Sequence, residues 1–252
     1  DNASGVLVKG GAELNILGEV SISGSTNGAT NGVKVVVGAT GAKINVNTLG
    51  TIESANGINL SGAHDTALKI TAGTVKGSNR AIAPAENSTL KLADILANGS
   101  TLYIGGTAAT EEKFAAALTA EMMELVFDNG QPPELKVTSA ARTSETEATV
   151  TFTASKAGTY YYQLDDVTDI LKNETNTNLV RGENTLSLKN LNALPHTVYI
   201  AARDSFGNET GTPVTEAAVP AVLNAPDKPF WKEENGKKMA AWSGVDNATG
   251  YY

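Results

Sequence analysis

Beyond Asp1, six carboxylates lie in the first hundred residues: Glu13, Glu19, Glu53, Asp65, Glu86 and Asp94. Carboxylates gathered on one face of a groove serve as acid, base or nucleophile in glycosidic cleavage. Glu19 and Glu53 follow similar Gly-led segments, at nearby but not equivalent positions. His64-Asp65 forms a turn pair able to move a proton. The dense mixture of Asp, Arg and Lys that a polysaccharide-cleaving groove needs is missing around them. These acids therefore read as solvated surface, and no catalytic residue is expected.

Two further groups lie in the second half. Asp165, Asp166 and Asp169 make an acidic loop whose oxygens suit calcium, but the spacing and turn glycine of a dedicated calcium loop are missing. A solvated loop is the simpler reading. Tyr160, Tyr161 and Tyr162 are the densest aromatic cluster. Strand geometry turns Tyr161 away from the other two. Tyr160 and Tyr162 are then the candidate ligand-binding rings, since exposed tyrosines stack on sugars and anchor partners; cross-strand packing is the competing and simpler account. His196 stands alone at a strand start and Tyr199 near a strand edge, both structural. The chain has no cysteine, which excludes thiol nucleophiles, thiolate metal sites and disulfides. No Ser/His/Asp signature, phosphate loop or metal-ligand spacing occurs, and no cofactor is expected.

The elements that hold these residues are set by a degenerate repeat. Ser4-Gly5, Asn31-Gly32, Asn56-Gly57 and Asn79-Arg80 each lead into an apolar run, with the second residues 27, 25 and 23 apart. Second strands recur at Leu14-Asn15-Ile16, Ile44-Asn45-Val46, Leu68-Lys69-Ile70 and Leu90-Lys91-Leu92. Third strands recur at Gly18-Glu19-Val20-Ser21-Ile22, Gly50-Thr51-Ile52-Glu53 and Gly73-Thr74-Val75-Lys76. One rung of alternating short strands cannot bury its apolar row; stacked rungs can. Residues 1–109 therefore read as parallel β-helix rungs, and they resemble the β-helix segments of bacterial surface proteins and polysaccharide-acting enzymes. Thr110 caps a following helix. Phe114, Leu118, Met122 and Leu125 form one helical stripe suited to cover the open end of the coil. A strand through Leu125-Val126-Phe127 follows, and 110–130 is capping helix and linker.

After Asn129-Gly130-Gln131-Pro132-Pro133 the pattern changes. Strand-like runs at Glu134–Ser139, Ala148–Ala154, Thr159–Leu164, Asn184–Leu188, Thr197–Arg203 and Val214–Val219 predict an antiparallel sandwich over 131–220. Ala157-Gly158-Thr159-Tyr160-Tyr161-Tyr162, Leu188-Lys189-Asn190-Leu191, His196 to Ala202 and the turn Asp204-Ser205-Phe206-Gly207-Asn208 resemble immunoglobulin-like and fibronectin type III-like modules of bacterial surface proteins. Pro220, Pro226 and Pro229 mark a second linker. Phe230-Trp231-Lys232, Met239 to Trp242 and Ala248 to Tyr252 resemble the start of another fibronectin-like module, so 221–252 reads as linker and truncated module, with Trp231 and Trp242 in its core.

The chain of 252 residues carries a net charge of −8 and no basic run. That disfavours nucleic acid and anionic membranes, and no apolar stretch is long enough for a membrane span. Glycosylation sequons, among them those at Asn2, Asn87, Asn98, Asn173, Asn208 and Asn247, are what so much Asn and Thr produces by chance. The expectation is an all-β chain: a short parallel β-helix with a helical cap, then an antiparallel immunoglobulin-like sandwich. Its cysteine-free, Thr/Asn/Gly-rich composition resembles exported Gram-positive proteins. The resemblance implies a non-catalytic, extracellular, cell-surface module, a monomer within a longer multidomain chain, binding a glycan or protein ligand for adhesion or spacing. Two alternatives stay open: a substrate-binding fragment of a polysaccharide lyase or glycosidase, and a pure spacer.

Overall fold

A computed structural model describes residues 3–86, 88–172, 176–211, 214–222, 230–241 and 244. Asn2, Asn87, Asn173, Asn247, Pro226, Pro229, Trp242 and the 248–252 segment lie outside the described residues. The chain divides between Gln131 and Pro132 into two compact units.

The first unit is a β-solenoid of about three turns. Its strands are β1 (Ser4–Val8), β2 (Glu13–Gly18), β3 (Ile22–Ser23), β4 (Asn31–Val35), β5 (Lys43–Asn59) and β6 (Ala67–Ala83). All pair in parallel: β1 with β4, β4 with β5, β2 and β3 with β5, and β5 with β6. Alternation turns one residue in two inward, and stacking aligns those residues in columns. Ile44 lies beside Leu68, Val46 beside Ile70, Ile52 beside Val75, and Val33 and Ile58 lead to Ile82. All of these are nearly or completely buried. The long strands bend at register shifts near Asn47 to Thr51 and near Ser54 to Asn56, where the coil turns its corners.

The register corrects the repeat at its last member. Asn31 pairs with Ser4, Asn56 with Asn31, and Arg80 with Asn56. Arg80 thus matches the asparagines, and Ala81 takes the place held by Gly5, Gly32 and Gly57. A Cβ on Gly32 would stand 2.7 Å from Gly57 O, and one on Gly57 2.6 Å from Ala81 O. Backbones approach too closely for a side chain wherever another parallel rung lies above. The strand beside β6 in the sheet, β9 (Met123–Asp128), pairs antiparallel with Gly73–Gly77 and leaves Ala81 outside that pairing.

The fourth second-strand is also corrected. Leu90-Lys91-Leu92 is not a strand; Leu92–Ile95 is a short helix, α1, and Leu96 makes the parallel bridge to Ile70. Helix α2 spans only Glu111–Ala117, with Thr110 Oγ1 accepting from Lys113 N. Its Glu111 carboxylate accepts from Leu92 N at 2.8 Å, tying α1 to α2. Phe114 and Leu118 enter the solenoid core as the stripe requires. Met122 and Leu125 do not continue it. Met122 is 80 % exposed with φ of 55°, and Leu125 points inward from β9, opposite Val75. A left-handed residue ends helical continuity, so the spacing from 118 to 125 was coincidence. Strands β7 (Thr101–Ile104) and β8 (Thr107–Ala108) complete this sheet, with β7 antiparallel to β9.

The second unit contains separate antiparallel sheets. One has the order β10 (Leu135–Arg142), β11 (Ala148–Ala154), β14 (Gly182–Leu188). The other has the order β13 (Thr177–Leu179), β12 (Gly158–Leu164), β15 (His196–Asp204), β16 (Thr215–Val219). Inward residues of both sheets share one core, including Val150, Phe152, Tyr160, Leu186, Val198 and Ile200. Polar fastenings join its loops. The Arg142 guanidinium donates to four carbonyls, of Glu145, Asn192, Leu194 and Pro220. The Asn184 side chain bonds Val180 N and the carbonyls of Val180 and Gly182. A hairpin, β17 (Phe230–Glu234) with β18 (Lys237–Ala241), follows. Trp231 is 75 % exposed there, not in a core; two strands alone lack the area to bury it.

Candidate functional site

Tyr160 and Tyr162 share a face, as alternation requires, but it is the core face. Tyr160 is 3 % exposed and meets Phe152 edge-on, with ring centroids 5.2 Å apart. Burial raises its hydroxyl pKa, against a hydrogen bond with Thr177. Tyr162 is partly buried against the same core. These rings serve packing rather than a solvent-facing platform. Tyr161 lies on the opposite face, packed with Ile170 and Ala201, and the Arg203 guanidinium sits 5.9 Å from its ring centre.

The three aspartates do not converge. Asp165 accepts from His196 Nδ1 at 2.7 Å and from Thr197 N at 2.8 Å. These bonds, that of His196 first, lower its carboxylate pKa. Asp166 accepts from Thr168 N, and Asp169 pairs with Lys172 at 2.9 Å. Among the described residues no three His, Asp or Glu side chains are grouped as a metal ion needs. His196 is therefore not alone. Its side chain is 9 % exposed, its Nδ1 is engaged, and its Nε2 is buried without a partner among the described residues. The carboxylate only accepts, so Nδ1 carries the proton. The pair is a fastening between the end of β12 and the start of β15. A separation of 31 residues hid it from local inspection of the sequence.

In the solenoid, Gly18 aligns with Thr48, so Glu19 falls outside the row that holds Glu53. His64 and Asp65 are exposed at a turn, where His64 bridges to Thr40. Glu53 instead belongs to an outward row, Ser23–Glu53–Lys76–Glu124, taken from β3, β5, β6 and β9, which neighbour one another in the sheet. Lys76 Nζ lies 3.2 Å from Glu124 Oε2. The Glu53 carboxylate has no hydrogen-bond or ion-pair partner among the described residues, and the residue is partly buried.

Glu53, Lys76 and Glu124 of this row floor a cleft of about 460 Å³. One wall is the loop through Thr26 and Asn27, which reaches from the first rung to the third: Ser78 Oγ donates to Thr26 O, and Asn79 Nδ2 donates to Gly28 O at 2.9 Å. The other wall is Met122 and Met123, fixed by Met122 N donating to Ser78 O at 3.1 Å. Equivalence of Glu53 and Lys76 was visible in the repeat. Glu124 arrives on an antiparallel strand outside the repeat, so the row was not.

A second polar surface lies on another side of the coil. Asn15, Asn45 and Lys69 stack in register, beside Glu13 and Lys43. Asn45 Nδ2 donates to Asn15 Oδ1 at 2.9 Å and to Glu13 Oε1 at 3.1 Å. Among the described residues no helix is long and apolar enough to cross a membrane. No protein-family model matches the chain, and no curated protein matches it.

Proposed function

We propose that this chain is a non-catalytic module of an extracellular bacterial surface protein, and that it binds a glycan or protein ligand while holding neighbouring modules apart. The observation that carries this reading is the outward polar row Asn15–Asn45–Lys69. Its groups are spaced by one rung, roughly 4.8 Å; Asn45 is held by hydrogen bonds to Asn15 and Glu13, and Lys69 by one to Leu96 O at 3.3 Å. Such an array offers an extended ligand many weak contacts of fixed spacing, where effective concentration replaces single-site affinity.

The finer architecture belongs to the same proposal. Phe114 of α2 and Leu118 just after it in the solenoid core, with α1 beside β6, support a helical cap. The three-plus-four strand order and shared core of the second unit support a fibronectin type III-like or immunoglobulin-like sandwich. The cysteine-free composition supports export.

The enzymatic alternative draws on one arrangement, Glu53 and Glu124 on either side of Lys76. Glu124 is half-exposed and already paired with Lys76 at 3.2 Å, so the two carboxylates do not stand free on either side of a groove. The test is retention on a panel of soluble polysaccharides, with reducing ends read in the same tubes. Retention without new ends is expected, weakened by Asn45→Ala. New ends would overturn the reading in favour of a hydrolase or lyase, and no retention on any glycan would leave a protein ligand or the plain spacer.

A further inference from the structure

We infer that the cleft between Thr26-Asn27 and Met122-Met123 binds a cationic side chain, lysine or arginine, of a partner polypeptide, with Glu53 as its anchoring carboxylate. The inference goes beyond the polar row above, since the cleft lies on another side of the coil and either can fail alone.

Charge distribution is the first reason. The floor holds two carboxylates and one ammonium. Lys76 is already committed to Glu124 at 3.2 Å. What remains is Glu53, partly buried, flanked in its row by the neutral Ser23 and the committed Lys76. A partly desolvated carboxylate without a partner is a place where a cation gains more than it does in open water. The net charge of −8 adds long-range attraction for a basic segment.

The rim is the second reason. Met122 is 80 % exposed and is fixed in that position by its bond to Ser78. An exposed thioether is a soft apolar surface, and lysine and arginine have aliphatic stems that lie along such a surface while the charged head goes further. Thr26, Asn27 and Ser78 also line the cleft and make the rest of its rim polar. The lining includes no aromatic ring, which disfavours a sugar in this position, because stacking on rings is the usual apolar contact for sugars. A metal ion is disfavoured by the lack of a third ligand among the described residues.

The chain has three methionines, Met122, Met123 and Met239, and only the first two line the cleft. The experiment is a titration of the full chain, labelled at its methionine methyl groups, with a short blocked peptide bearing a central lysine. A twin peptide with glutamine and a neutral oligosaccharide run in parallel. The lysine peptide is expected to move the Met122 and Met123 signals and leave Met239 in place, with an effect that fades as salt is raised. Glu53→Gln is expected to weaken binding about five-fold, the size of one partly screened ion pair. Lys76→Gln removes the cation that competes for the floor, so it is expected to tighten binding; this second variant keeps the test sound if Glu53→Gln disturbs the fold. Unmoved Met122 and Met123 signals, equal response to the glutamine twin, response to the oligosaccharide instead, or weakening by Lys76→Gln would each overturn the inference.

Discussion

The two units solve the same problem in different ways. In the solenoid the same kinds of contact recur between rungs: apolar side chain over apolar side chain, asparagine over asparagine at Asn15–Asn45 and Asn31–Asn56, glycine under a backbone oxygen. In the second unit nothing recurs. Its strands pair antiparallel over long separations, and single polar residues fasten its loops: Arg142 at four carbonyls, Asn184 between Val180 and Gly182, Asp204 within its turn. Repetition distributes stability over neighbouring rungs, as in other stacked repeats. A non-repeating fold concentrates it in a few irreplaceable groups. The solenoid should therefore be most sensitive where rungs touch, and the second unit where one side chain holds several backbone groups.

The largest expected effect breaks the contact between rungs. In Gly57→Ala the new Cβ would stand 2.6 Å from Ala81 O, 2.7 Å from Val75 Cγ1 and 2.8 Å from Lys76 O. Two of these are backbone atoms of the next turn, which cannot rotate away. Relief requires rungs to separate, and the loss should be about 3 kcal/mol or more. Gly211→Ala, where a Cβ meets nothing within 4 Å, should stay within about 0.5 kcal/mol. Denaturant unfolding of both variants checks the pair; equal effects would mean that rung contact does not limit the solenoid.

The next effect tests concentration in the second unit. Asp204 Oδ1 accepts from Phe206 N and Asn208 N, each at 2.9 Å. Its Oδ2 accepts from Asn208 Nδ2 at 2.8 Å and Lys156 Nζ at 3.1 Å. Burial opposes the charge, but the bonds from Asn208, Lys156 and Phe206 more than offset it and hold the carboxylate pKa below its ordinary value. Asp204→Ala should cost about 2–3 kcal/mol at neutral pH, because several buried donors lose one acceptor. The depressed folded pKa means that the unfolded chain takes up the proton first as acid is added. The contribution is present above the ordinary carboxylate range, near pH 4, and is lost as pH falls through the folded value. Melting temperatures of wild type and variant should converge below that range; a gap independent of pH would remove charge from the explanation.

What was legible in the sequence follows the same division. The repeat was readable because three rungs present the same pattern, and each reinforces the others. Its last member departs from the pattern where the environment changes: beyond β6 the next strand in the sheet is the antiparallel β9, so Arg80 and Ala81 drift from the pattern and Leu92 joins a helix. The six strand runs of the second half lie within a few residues of β10, β11, β12, β14, β15 and β16, because their apolar residues alternate. β13, with only Thr177–Leu179, is too short to alternate. The tyrosine triplet gave its alternation but not its inner face, since all three residues are equally apolar. Asp165 with His196, and Glu124 with Lys76, are pairings made by the chain path alone, and no local pattern carries them.

The smallest effect compares two asparagines within the solenoid. Asn31 is 1 % exposed. It donates to Ala29 O at 3.2 Å and Ser4 Oγ at 3.4 Å, and its Oδ1 accepts from Asn59 Nδ2 at 2.7 Å and Asn56 Nδ2 at 3.3 Å. Asn45 makes bonds of similar length on the outer face, to Asn15 and Glu13. Asn31 makes four such bonds to Asn45's two, but number is not the difference that matters most. The difference is access to water. When Asn45→Ala removes an amide from the outer row, water takes its place on Asn15 and Glu13, and the loss should be below about 0.5 kcal/mol. When Asn31→Ala removes one from the corner, the amides of Asn56 and Asn59 lose their acceptor where water does not reach Asn31, and the loss should be about 2 kcal/mol. Parallel denaturant titrations decide it. If the two variants prove equal, burial is not what gives the corner asparagines their value, and the solenoid is fastened by its polar rows as evenly inside as outside.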